Sequence, residues 1–515
     1  MDTDTEITRD RKRKKIDDEL KLSGCSNHYF KNGIFKSSLL PILKRDKYND
    51  SLMSLLETCK DSFSWKYDVV FPTLPPLATI ELYKKSGKIS LLPKQYHTVT
   101  ITNSEEWKYL LGNPDGLITR TAKHLVCSAH QTSVEPGQIP DHFTHLDIRG
   151  LSNITPGCIP SGATHLKVEQ IGVLETGLFP DTLVHLDMES FEECDEKGFI
   201  FPPRLHTLGI VSTFIEQGIK LPNTIRTLYI YDDGCGINEL GIIPSSVVSL
   251  HVQDCEVGVG VIPNSVKYLE ITLSDPNNYK AIPAESVTHL HALFSGRDQT
   301  RVDSTMIPQS VTHLKVSGEY SLMLKNNPSI TSLTLTNPYI ISNFEWPPSL
   351  TNLHINGDAS GSLNTKSCPP TIEYFSMSNV TYDNTLQNLI PQSTKYFKYD
   401  NTSSSTQLFY PNYIPSSVQY IKFDTIGKLQ VFQDGVLPKS LKYLELPEEY
   451  EGQLKTQALP TSLQVISIAS TNPRLHERIP SSIKKHLKNI RHQHPETWLD
   501  TVWLENDGDW YFGLE

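Results

Sequence analysis

The decapeptide Ile307-Pro-Gln-Ser-Val-Thr-His-Leu-Lys-Val316 decides how the rest of the chain is read. Leu314 and Val316 are separated by a single polar residue. That is the period-2 spacing of a short strand with one buried face, so Lys315 between them must point the other way. Pro308 has no N–H to offer a strand ladder, and it stands six residues ahead of the leucine, where the chain has yet to enter the sheet.

The same order of residues returns along the chain: apolar, Pro, two mostly polar positions, apolar, two variable positions, Leu, variable, apolar. It begins clearly at Ile139-Pro140 with Leu146 and Ile148, and recurs at Pro160, Pro180, Pro202, Pro222, Pro244, Pro263, Pro283, Pro308, Pro328, Pro347, Pro369, Pro391, Pro415, Pro438, Pro460 and Pro480. The units at Pro283 and Pro328 slip by one residue. From Pro140 to Pro480 there are 340 residues in sixteen intervals, a period of about 21, inside the window of leucine-rich repeats. Weaker units precede them at Pro93 (Val99, Ile101) and Thr119 (Leu125, Cys127), with Pro76 and Leu82 as a further candidate. A short strand recurring at this interval in one direction predicts a leucine-rich-repeat-like solenoid, a parallel β-ladder with one strand and one right-handed returning arc per unit. The domain reading is a charged, disordered tail over 1–24, a helical leader over 25–74, divergent first repeats over 75–138, the repeat solenoid over 139–482 and a helical C-terminal cap over 483–515.

Composition narrows the function classes. Of 515 residues, 38% are apolar and 20% charged. No apolar stretch is long enough to span a bilayer, and Met1 is not followed by a basic-then-apolar leader. The expectation is an intracellular protein, cytoplasmic or nuclear, without a membrane partner. The eight cysteines are far apart and form no C-x-x-C, which argues against a zinc ribbon or a redox pair. A formal net charge of −11 argues against a general nucleic-acid surface, whose affinity would come from clustered Lys and Arg.

The string Ile307-Pro-Gln-Ser-Val-Thr-His-Leu314, echoed by Glu285-Ser-Val-Thr-His-Leu290 and Ile243-Pro-Ser-Ser-Val247, resembles the core of the FNIP repeat, a leucine-rich-repeat relative expanded in social amoebae. A glycine that precedes the family's Ile-Pro recurs at Gly157, Gly177, Gly218, Gly241, Gly260 and Gly435, while the Phe-Asn element that names the family is absent. The resemblance implies a divergent member, a protein-interaction scaffold without assigned chemistry. The segment Tyr29-Phe-Lys-Asn-Gly-Ile-Phe35 and the leucines after it are similar to the helical leaders of such proteins, read either as a cap on the first repeat or as an F-box-like element that recruits ubiquitin-ligase components.

If the sheet has one buried face, the residues flanking each leucine form the exposed, concave face on which repeat proteins bind their partners. The column before the leucine holds His145, His165, His185, His313, Tyr374, Tyr396, Tyr420 and Tyr443; the column after it holds Tyr229, His251, His291, His354, Lys398 and Lys422. These fourteen are the candidate binding residues. Histidines stacked at the strand spacing repel one another when charged, which offers a pH-sensitive patch or a metal strip, against the plainer reading of a duplicated consensus. Arg11, Lys12, Arg13, Lys14 and Lys15 read as a nuclear-import signal or as a solvated charge run. Lys484, Lys485, Lys488 and Arg491 among apolar residues suggest a calmodulin-type target helix or simply the cap. No unit stands apart as a catalytic site, and neither a cofactor nor a metal is expected.

Overall fold

The computed structural model describes residues 70–468 and 489–491, less 114, 129–131, 150, 153, 195–198, 232–235, 274–277, 295–299, 319, 337–344, 358–367, 379–389, 401–408, 425–431 and 448–453. The chain divides into two compact units, Met1–Tyr229 and Ile230–Glu515. Each is built on a parallel β-ladder with one strand per repeat.

In the first unit, Phe71–Thr73, Tyr96–Ile101, His124–Cys127, His145–Asp147, His165–Leu174, His185–Cys194 and Thr207–Val211 pair in sequence order, all parallel. In the second, the ladder runs through Ser249–Gln253, Tyr268–Thr272, His289–Phe294, His313–Gly318, Ser332–Thr336, Asn352–Asn356, Tyr374–Ser378, Tyr396–Asp400, Tyr420–Phe423, Tyr443–Leu446, Val465–Ile468 and Asn489–Arg491. The register places each consensus leucine opposite the next: Leu290 pairs with Leu314, Leu314 with Leu333, and Leu353 with Phe375. The parallel β-solenoid expected from the period is therefore the fold. Short accessory pairs lie in the arcs, Thr132–Ser133 with Leu151–Ser152 and Thr300–Asp303 with Tyr320–Met323.

Each consensus position has an observable task. Ile307, Val311, Leu314 and Val316 are all buried. The proline carbonyl opens a turn by accepting the N–H of the apolar residue three places on, as in Val311 to Pro308 at 3.1 Å and Leu441 to Pro438 at 3.0 Å. The serine before that apolar residue reaches back to the preceding turn: Ser310 Oγ donates to the Val287 carbonyl at 2.7 Å, and Ser440 Oγ to Val418 at 2.6 Å. Such bonds satisfy carbonyls that no strand covers. The recurrent glycine takes a left-handed conformation, φ +82° at Gly260 and +80° at Gly435, and Asn412 adopts φ 69° at the same place in the Pro415 unit, as asparagine can.

The structure departs from expectation at both ends of the array. Pro76 and Leu82 do not form a strand unit. They lie at the start of and within the helix Leu77–Lys85, where Leu82 is exposed, and the first ladder strand is Phe71–Thr73, inside the expected leader. Leu82 has the spacing of a consensus leucine, but the residues around it lack a buried partner two places on. Within 483–515, expected to be a helical cap, Asn489–Arg491 continues the ladder, with Ile490 in register with Ile466. Residues inserted after Pro480 had moved Ile490 off the consensus spacing. The tail 1–24, nearly all of the leader and 492–515 lie outside the described residues.

Leu333→Ala, which removes a fully buried side chain, is expected to lower the unfolding free energy by roughly 2–5 kcal/mol. Leu240→Ser, at an exposed arc position, should change it by less than about 0.5 kcal/mol. Urea denaturation followed by circular dichroism measures both, and equal losses would contradict a core made by the leucine column.

Candidate recognition face and a buried polar relay

Because neighbouring turns are in register, residues of one kind pile on one another. In the first unit the rings of His124, His145, His165 and His185 stack with centroid separations of 4.4, 4.1 and 4.1 Å, and His97 joins at 4.2 Å, more tilted. In the second, His313 stacks on His289 at 4.2 Å, and Tyr374, Tyr396, Tyr420 and Tyr443 stack at 4.4, 4.5 and 4.6 Å. Most of these rings are half-buried; His97 and Tyr374 are exposed.

A preceding threonine holds four of these imidazoles in place, those of His145, His165, His289 and His313. Thr164 Oγ1 lies 2.9 Å from His165 Nδ1 and donates to the Thr144 carbonyl at 3.1 Å; Thr312 makes the same pair of contacts with His313 and the Thr288 carbonyl. The threonine proton being committed, its oxygen accepts from Nδ1–H, which leaves Nε2 as the acceptor. Burial, then the neighbouring imidazoles, push His165 down from 6.5 to about 3, and burial with His97 and His145 pushes His124 to about 4. His145 and His185 are lowered for the same reasons, and His313 by burial.

The column after the leucine differs from expectation. It was expected to be exposed, but Asp187, His251, Glu270, His291, His354 and Lys422 are buried. Each is hemmed in by its own column above and below and by residues two places along its strand on the same face. Lys167 Nζ pairs with Asp187 at 3.1 Å, and Lys398 and Lys422 share Asp424 at 2.9 and 3.1 Å. His354 Nδ1 and Nε2 contact Ser376 Oγ at 2.5 Å and Ser378 Oγ at 3.2 Å. Tyr229, in the strand Thr227–Tyr231, is half-buried. The basic run Arg11–Lys15 lies outside the described residues.

One group does stand apart, and sequence reading did not single it out. Three consecutive strands place His251, Glu270 and His291 side by side in register, with Lys315 next in line. Glu270 Oε2 lies 3.1 Å from His251 Nδ1 and 3.5 Å from His291 Nδ1, and Oε1 accepts from Gln253 Nε2 at 3.3 Å. Beyond the imidazoles, Ser249 Oγ is 3.0 Å from His251 Nε2, and Ser317 Oγ is 3.0 Å from His291 Nε2. Burial opposes ionisation of Glu270, but the hydrogen bonds of the two histidines outweigh it and hold the carboxyl well below the usual range. An ionised carboxylate can only accept, so both Nδ1 atoms carry their protons, and with the rings neutral each Nε2 accepts from a serine hydroxyl. The only signal in the sequence was positional: all five residues occupy outward positions of strands already in register.

Among the described residues no group of three or more His, Cys, Asp or Glu is placed to hold a metal ion. Nor, among them, is any helix long and apolar enough to cross a membrane.

No family model matches the chain, and no curated protein matches it. Among solved structures it is similar to CroV588, described as a novel circular LRR protein, at 17% identity over 76% of this chain and 72% of that one, with a TM-score of 0.38. It is also similar to the plant peptide hormone receptor RGFR1, solved in complex with RGF2, at 13% identity over 82% of this chain and 93% of that one, with a TM-score of 0.20. The protein is a leucine-rich-repeat-like solenoid protein, a class set by its own parallel ladder, one strand per repeat.

The histidine column generates a pH prediction. The folded state holds these imidazoles below their ordinary 6.5, so below that pH the unfolded chain binds more protons. Their contribution to stability is complete above about pH 6.5 and is lost as pH falls toward about 4. The urea midpoint of the wild-type chain should therefore fall more between about pH 7.5 and about pH 4, which spans the window, than that of His145→Asn/His165→Asn/His185→Asn. Identical pH slopes would count against the stack.

Proposed function

We propose that the protein is an interaction scaffold, a divergent relative of FNIP-repeat proteins, that grips an extended segment of a protein ligand across the outward columns of its ladder. In this reading residues 139–482 form the repeat array, and residues 75–138 supply divergent first turns. The observation that carries the reading is the aromatic column Tyr374, Tyr396, Tyr420 and Tyr443, four stacked rings of which one is exposed and three are half-buried. Stacking holds the rings in place before any ligand arrives, so binding orders few rotamers, and tyrosine offers apolar edge and hydrogen-bonding tip together. Beside them Lys398 and Lys422 are paired with Asp424, so they contribute less as free cations than their sequence positions suggest.

Selection from a displayed peptide library against the full chain tests the proposal. Enriched peptides are expected, and their affinity should fall roughly tenfold or more for Tyr374→Ser/Tyr420→Ser, with circular dichroism unchanged. Absence of enrichment, or affinity indifferent to the tyrosines, would refute the reading.

A further inference from the structure

The group around Glu270 has no counterpart in the ligand-binding reading. Charged pairs elsewhere on the face, such as Lys398 and Lys422 with Asp424, end in ammonium groups. Here a carboxylate, two imidazoles and two hydroxyls form one chain of hydrogen bonds, buried in the middle and half-buried at its serine ends. A carboxylate that holds Nδ1–H leaves Nε2 ready to take a hydroxyl proton, the arrangement by which a serine becomes a nucleophile. Burial of the carboxylate and imidazoles strengthens the electrostatics along the chain.

From this geometry we propose that Ser249, His251 and Glu270 form a nucleophilic site that cleaves activated carboxylic esters. Ser249 Oγ attacks the ester carbonyl, forming the Oγ–C bond while its proton passes to His251 Nε2. The C–O bond to the leaving alcohol breaks, and the alcohol departs with that proton. Water then attacks the acyl-serine, again giving its proton through His251, and releases the carboxylic acid with the serine restored. Ser249 and His251 are the catalytic residues. Glu270 is a positioning residue that sets the tautomer and stabilises the imidazolium.

Two features choose the serine and the substrate. The His251–Glu270 separation is 3.1 Å, whereas His291 lies at 3.5 Å, so the Ser249 arm is the better aligned. The strand N–H groups are committed to the ladder on either side, so no pair of them is free to hold a tetrahedral oxyanion. Esters with good leaving groups fit such a site, and amides do not.

The test treats the full chain with a fluorophosphonate, which forms an Oγ–P bond and releases fluoride, and locates the adduct by peptide mass spectrometry. The expected result is an adduct on Ser249, formed faster in the folded chain than in the same chain unfolded in urea. His251→Gln should slow it by about 10²-fold or more. Glu270→Gln should slow it too, and Glu270→Asp, which keeps the charge, should recover part of the rate. Release of p-nitrophenolate from p-nitrophenyl acetate should follow the same order. An unmodified Ser249 in the folded wild-type chain, or a rate no higher than in urea, would overturn the proposal. Neither result depends on whether a variant folds, and neither bears on peptide binding by the tyrosine column.

Discussion

Leu314 lies in register between Leu290 of the turn before and Leu333 of the turn after, and the rest of the molecule follows from contacts of that kind. A single turn has too little apolar surface to hold its own backbone in order, so it acquires a core only from its neighbours. Each turn must therefore present the same apolar residues at the same heights. The proline-opened turn, the serine that reaches back to the previous turn's carbonyl and the left-handed glycine all bring the chain to the next strand in phase.

Registration that serves the inside also disciplines the outside. Once the leucines align, residues before and after them align too, and stacked histidines and tyrosines are the outcome. Histidines tolerate this by staying neutral, and where a threonine precedes, as at His165 and His313, it holds the Nδ1 proton. Charged residues tolerate it by pairing across turns, as Lys167 does with Asp187. The aromatic column keeps surface of its own, which is why it carries the binding proposal.

Where the outward residues differ from turn to turn, the same register can assemble something no repeat contains. His251, Glu270 and His291 are separated by 19 and 21 positions in sequence, yet they meet because each occupies the same place in its turn. A chain of hydrogen bonds between side chains of successive turns leaves no local motif, and its serine ends fall at the leucine-minus-one and leucine-plus-three positions of two different turns.

The repeat period, the direction of the ladder and the buried leucine and proline-phased columns were legible in the sequence, because spacing along one strand and spacing between turns are properties of the chain itself. Which outward residues are buried, and which partner each one finds, was not. Sequence reading treated the column after the leucine as surface, whereas the packing of adjacent turns encloses His251, His354 and Lys422. Leu82 carried the right spacing but belongs to a helix, and Ile490 lacked the spacing but joined the ladder. Burial and pairing depend on what the neighbouring turns bring within a few ångströms, and only the folded chain decides that.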